Sequence, residues 1–133
     1  MSTLQVIQIL QSEFELALAA QNVKIFFSSR LGEDYGRYMD NGTIFINYQL
    51  QGNDEEILKV TAHEAVHHLQ INKGILIGDN PPHYWNPELS EEHSQLLEEV
   101  IKEQYDPDDW RWEIPAWALQ YSPRKVLELL KNS

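Results

Sequence analysis

Apolar residues recur at helical spacing in five stretches of the chain, and between the first two stretches they alternate or cluster as in strands. Val6, Ile7, Leu10, Phe14, Ala17 and Leu18 share one face of a helix running from Leu4 to about Ala20, with Ser2 or Thr3 placed to cap it. Gln21-Asn22 ends that helix, and Val23-Lys24-Ile25-Phe26-Phe27 is a short β-rich run. After a loop from Ser28 to Gly36, Arg37-Tyr38-Met39 and Thr43 to Tyr48 flank Asp40-Asn41-Gly42. Asn and Gly both tolerate positive φ, so this reads as a β-hairpin. The expectation is a small antiparallel sheet of two to three strands.

A second helix follows the loop Gln51-Gly52-Asn53. Asn53 or Asp54 can cap it, Glu55 and Glu56 suit the positive end of its dipole, and Gly74 is a natural stop beyond Ile71 or Asn72. Leu58, Ala62, Ala65 and Leu69 form its core stripe, while Val60, His63, His67 and Gln70 lie on another flank. Ile75 to Asn86, with Pro81-Pro82, reads as irregular. A third helix starts near Pro87 or Ser90 and reaches about Tyr105, with Leu89, Leu96, Leu97, Val100 and Ile101 as its apolar side. Asp106-Pro107 breaks the pattern. Trp110 to Tyr121 is then helical, with Pro115 near its beginning or kinking it, and Ser122-Pro123 opens a last helix through Val126, Leu127, Leu129 and Leu130. The fold class expected is α+β, about five helices with the small sheet, in one domain over residues 1–133.

Composition adds constraints. No run of about 18 apolar residues exists, so no membrane span is expected. The N-terminus lacks the basic residues of a signal peptide and the chain has no cysteine, which leads us to expect a cytoplasmic protein. The 21 acidic against 10 basic residues give a net charge of -11, a surface that phosphate backbones would repel. Nucleic acid is therefore not an expected partner.

The chemistry lies in His63-Glu64-Ala65-Val66-His67. Residues four apart on a helix stack on one face, so His63 and His67 can aim two imidazoles at one metal ion. Glu64, one step round, can reach a water on that metal and act as general base. One Zn2+ ion is the expected cofactor. With no cysteine the third ligand must be His or carboxylate. Positions 70 and 73 are Gln and Lys, which excludes the class that adds a third histidine in the pattern His-Glu-x-x-His-x-x-Gly-x-x-His. Glu92, Glu98, Glu99 and Glu103 are candidates on the acidic third helix, and His93 is another. Glu113 stands apart, because it is surrounded by Trp110, Trp112, Ile114, Ala116 and Trp117. A lone acid among large apolar residues is costly unless paired or bound to a metal. The three tryptophans read as core around it.

The motif, the preceding Gly-Thr-Ile-Phe-Ile strand and the later Glu113-Ile114-Pro115-Ala116-Trp117 together resemble the gluzincin class of zinc metallopeptidases. More narrowly the chain is similar to the single-domain minigluzincins, over roughly residues 40 to 121. The resemblance implies a zincin-like fold with the motif on a central helix. It implies His63, His67 and a downstream glutamate, matched by Glu113, as ligands, with Glu64 as base. It also implies that the strand from Thr43 through Ile44, Phe45 and Ile46 to Tyr48 is an edge that binds extended peptide by strand addition.

A peptidase also needs a donor for the tetrahedral oxyanion, and His83, Tyr84 and His93 are candidates by residue type. His68 reads as packing or solvent-facing. The expected activity is zinc-dependent hydrolysis of peptide bonds in a peptide or protein substrate. The alternative is a zinc-containing binding or regulatory domain.

Overall fold

The computed structural model describes all of residues 1–133. It is α+β, with six helices and a three-stranded sheet. Helix α1 (Thr3–Ala19) starts in a capping box, in which Ser2 and Gln5 each bond the other's backbone N–H. Strands β1 (Lys24–Ser28), β2 (Gly36–Met39) and β3 (Thr43–Asn47) follow, then α2 (Asp54–Lys73). Asn53 caps α2 through the Glu56 N–H, and Gly74 ends it at φ 67°, the left-handed conformation that a side chain would strain. The remaining helices are α3 (Pro82–Trp85), α4 (Glu91–Gln104), α5 (Pro107–Leu119) and α6 (Pro123–Lys131).

Helix α2 is the centre of the molecule, packed by α1, α5, α6, β2 and β3. Its Leu58, Ala62, Ala65 and Leu69 are buried in one main core with Phe14, Leu18, Ile44, Ile46, Val126 and Leu130. Burial of the larger of these side chains stabilises by roughly 1.5–3 kcal/mol each, so α2 is held by its surroundings more than by helix propensity. One stretch expected as irregular holds a single helical turn, α3, because Pro82 is well placed at a helix start.

Two expectations about the sheet are corrected. It is mixed, since β1 pairs with β3 in parallel and β2 pairs with β3 antiparallel. The order is β1-β3-β2, so Thr43, Ile44, Phe45 and Ile46 lie in the central strand. Both of its sides are hydrogen-bonded, and it cannot accept another strand. The chain returns from β1 past β3 before forming the hairpin, which makes β2 the edge nearer α2.

The register of that edge fixes what it presents. The Tyr35 carbonyl accepts from the Asn47 N–H at 2.8 Å, so Tyr35 and Asn47 form a hydrogen-bonded pair. Pairs alternate along an antiparallel ladder, which makes Arg37–Phe45 the next such pair. Gly36 and Tyr38 fall between, and turn their backbone N–H and C=O to the open side.

Leu96 and Val100 of α4, expected on its apolar side, are exposed; Leu97 and Ile101 take the buried stripe with Ser94, and Leu89 is buried just ahead of the helix. No helix is long and apolar enough to cross a membrane.

Candidate metal centre

The flank of α2 that avoids the core carries His63, His67 and Gln70 toward α5, which supplies Glu113. Nε2 of His63 lies 3.2 Å from one Glu113 oxygen, and Nε2 of His67 lies 3.1 Å from the other. The ligating atoms of all three are within 4.8 Å of one another. Ligands at the usual bond lengths around a tetrahedral metal stand about 3.3–3.6 Å apart. The three groups are therefore close enough to converge on a single metal ion.

Each histidine is oriented from behind by a glutamine. Nδ1 of His63 is 2.7 Å from Oε1 of Gln120, and Nδ1 of His67 is 2.8 Å from Oε1 of Gln70. An amide oxygen only accepts, so each Nδ1 carries the proton and each Nε2 is left to the metal side. Gln70 is buried, and its Nε2 donates to the carbonyls of Leu76 at 2.7 Å and Trp112 at 2.9 Å.

Pro115 creates a further docking point on the same helix. It sits inside α5 and has no N–H for the Arg111 carbonyl one turn back. The Gly78 N–H takes that acceptor at 2.9 Å, and Gln70 takes the next one, at Trp112. The proline thus opens the helix backbone where the 74–81 loop docks, one residue before the carbonyl that Gln70 uses. Leu76, at φ 60°, is held in a conformation unfavourable for its side chain by that same Gln70 contact.

The electrostatics follow from packing. Burial pushes the Glu113 carboxyl up, but hydrogen bonds from His63 and His67, with their charge, outweigh it and bring it down to about 2. Burial lowers His67, while the hydrogen bond and charge of Glu113 raise it further, to about 9. Without metal, His67 and Glu113 are thus an ion pair at neutral pH. Glu64 is buried, and burial raises its pKa against the attraction of His63 and His67.

Two cavities open on this cluster, of about 430 and 620 Å³, and His63, Glu64, Gly36, Asp34 and Tyr105 line both. Tyr105, at the end of α4, was not among the residues the sequence singled out. Its hydroxyl accepts from Nε1 of Trp117 at 3.3 Å, and burial, then the nearby Glu113 charge, push it up to about 12. It is a protonated donor beside the cluster. Trp112 and Trp117, expected as core, are half-buried and form cavity wall, and Trp110 is also half-buried.

The other candidates lie elsewhere. His83 and Tyr84 sit on α3; Nδ1 of His83 contacts Ser94 Oγ at 3.0 Å, Tyr84 is exposed, and neither lines either cavity. The short helix that carries both packs on α4 and α5. Of the acidic α4 side chains, none joins the ligand group, and Glu98 faces Lys102. His93 packs edge-on against the Tyr121 ring. His68 is buried, with Nε2 2.7 Å from Oε1 of Gln21 and Nδ1 3.0 Å from the Tyr38 hydroxyl, so it ties α2 to β2. Compared with protein-family models, with curated proteins and with solved structures, the chain matches none.

Proposed function

We propose that the protein is a zinc-dependent hydrolase acting on peptide bonds. The observation that carries this reading is the convergence of His63, His67 and Glu113, with Glu64 facing the same space one residue along α2. Two imidazoles and a carboxylate, without thiolate, suit zinc, and three protein ligands leave a position open. A zinc ion held there would supply Lewis acidity, drawing the pKa of a coordinated water toward neutrality and polarising a carbonyl.

The chain's own groups do the rest. Glu64 takes the proton from the attacking water and passes it to the leaving amine. Its burial-raised pKa makes it the stronger base for the first of these steps. Gln70 and Gln120 keep the ligand histidines in the metal-binding tautomer. Tyr105 is placed to donate to the oxygen that gains charge. The outward backbone of Gly36 and Tyr38 would align an extended substrate by strand addition, a role that the central position of β3 denies to Thr43–Ile46.

The test is a pair of variants assayed for bound zinc and for hydrolysis of a peptide library at neutral pH. Glu64→Gln should keep zinc and lose hydrolysis, whereas His67→Ala should lose both. Wild-type protein that binds no zinc would end this reading. Zinc-loaded protein that cuts no peptide would leave a metal-containing binding domain instead.

A further inference from the structure

Two cavities meet at His63 and Glu64, and one of them also holds His67 and Glu113. Arg37, Tyr38, Ile71 and Trp112 extend one cavity, and Tyr35, Lys59, Trp117 and Tyr121 extend the other. A carbonyl at the cluster would therefore sit at a junction, with space for chain on either side. We infer that the protein cuts within a chain rather than at its ends, and that its substrate is an extended peptide with residues held on both sides of the scissile bond. This inference rests on the peptide-hydrolase reading above.

Strand β2 supports it by its position. Tyr35 lies in one cavity, Gly36 in both and Tyr38 in the other. At about 3.3 Å per residue these positions span roughly 10 Å, enough to pair with substrate residues on each side of the cut. The free N–H and C=O of Gly36 and Tyr38 recur every second residue, as strand addition requires.

The charges point the same way. An enzyme that trims ends holds a charged terminus. A terminal carboxylate needs a desolvated cation, but Arg37 is half-exposed beside Asp34 at 2.7 Å, and Lys59 pairs with Glu56 at 3.4 Å and lies over the Tyr121 ring. A terminal amine needs a carboxylate. Asp34 and Glu56 are engaged by those cations, and Glu33 and Asp109 are exposed at the rims, where an ion pair contributes little.

The experiment presents zinc-loaded protein with mixed-sequence peptides in three forms: acetylated and amidated, with only the amine free, and with only the carboxylate free. Products are read by mass spectrometry. Internal cuts in the doubly blocked peptides, at rates within about threefold of the others, are expected. Trimming from a free end, with blocking slowing it more than about tenfold as loss of a charged anchor would, overturns the inference and leaves the hydrolase reading standing. No cleavage of any form overturns both. A second readout does not depend on turnover. Backbone NMR of Glu64→Gln with the blocked peptides should show changes in both cavities and slowed exchange of the Gly36 and Tyr38 amides. Changes confined to one cavity would sink the proposal.

Discussion

Gly36 of β2 lies so close to Val60 of α2 that a β-carbon placed on it would stand 2.5 Å from Val60 Cγ1, and 3.3 Å from Cγ of Glu64. Gly36 is not among the residues with positive φ, so the glycine is required by space and not by backbone conformation. Its lack of a side chain lets the β2 edge lie against the helix turn that carries the proposed base. Gly36→Ala should cost about 1–3 kcal/mol by overpacking and move β2 away from Glu64. Peptide hydrolysis should fall while zinc content holds. Adding Val60→Ala removes the clashing methyl, so the double variant should recover much of the activity. Absence of that rescue would mean that Gly36 matters for another reason.

Tyr105→Phe removes one hydroxyl at the rim shared by both cavities. If that hydroxyl donates to the developing oxyanion, kcat should fall by about 10²–10³ with KM and zinc affinity little changed. His83→Ala and Tyr84→Phe should leave turnover as it is, because neither residue lines the site. A large loss in His83→Ala with an intact fold would reverse this assignment.

How far these residues were legible in the sequence depends on how local their signal is. His63, Glu64 and His67 announce themselves because helical spacing alone brings them to one face. The bounds of α2 were legible for the same reason, with Asn53 and Gly74 as local signals. Glu113 could be singled out by its apolar neighbours. Gln70 was visible on the histidine flank, yet only its contact with His67 gives it a role. Gln120 and Tyr105 meet the cluster across 57 residues and from another helix, and no local pattern encodes that. The sheet misled for a related reason. A hairpin signal establishes that β2 and β3 pair, but not on which side β1 will join them.

Pro115 is the clearest case of a residue whose meaning is tertiary. In a helix interior it would cost about 3 kcal/mol or more, yet the freed Arg111 carbonyl is taken by Gly78 and the adjacent Trp112 carbonyl by Gln70. Gln70→Ala removes the donors to Leu76 and Trp112 and the acceptor behind His67 together. Zinc affinity should drop about 10–100-fold, as for other supports behind a metal-bound histidine. Gln120→Ala should show the same drop through His63, with less loss of stability, since it holds no loop. Titration with a competing chelator, alongside thermal melts, separates the two effects. Unchanged affinity in both variants would show that the glutamines are packing only.

Metal and proton compete for His67, and the sign of the pH dependence follows. Its pKa in the folded, metal-free chain is about 9, against an ordinary 6.5. The stabilisation it draws from Glu113 is therefore complete below pH 6.5 and is lost as pH rises through 9. Glu113, lowered to about 2 from 4.5, contributes the complementary limb, present above pH 4.5 and lost as pH falls through 2. Metal-free protein should melt at progressively lower temperature from pH 6.5 to 9, and His67→Ala should flatten that limb. Zinc requires the unprotonated Nε2, so binding at pH 7 should release about one proton. Calorimetry in buffers of different ionisation enthalpy measures it directly. Over pH 6.5 to 9 the apparent affinity should rise about tenfold per pH unit. Binding without proton release at pH 7 would mean that His67 is already neutral in the metal-free protein, and that the Glu113 pair does not hold its proton.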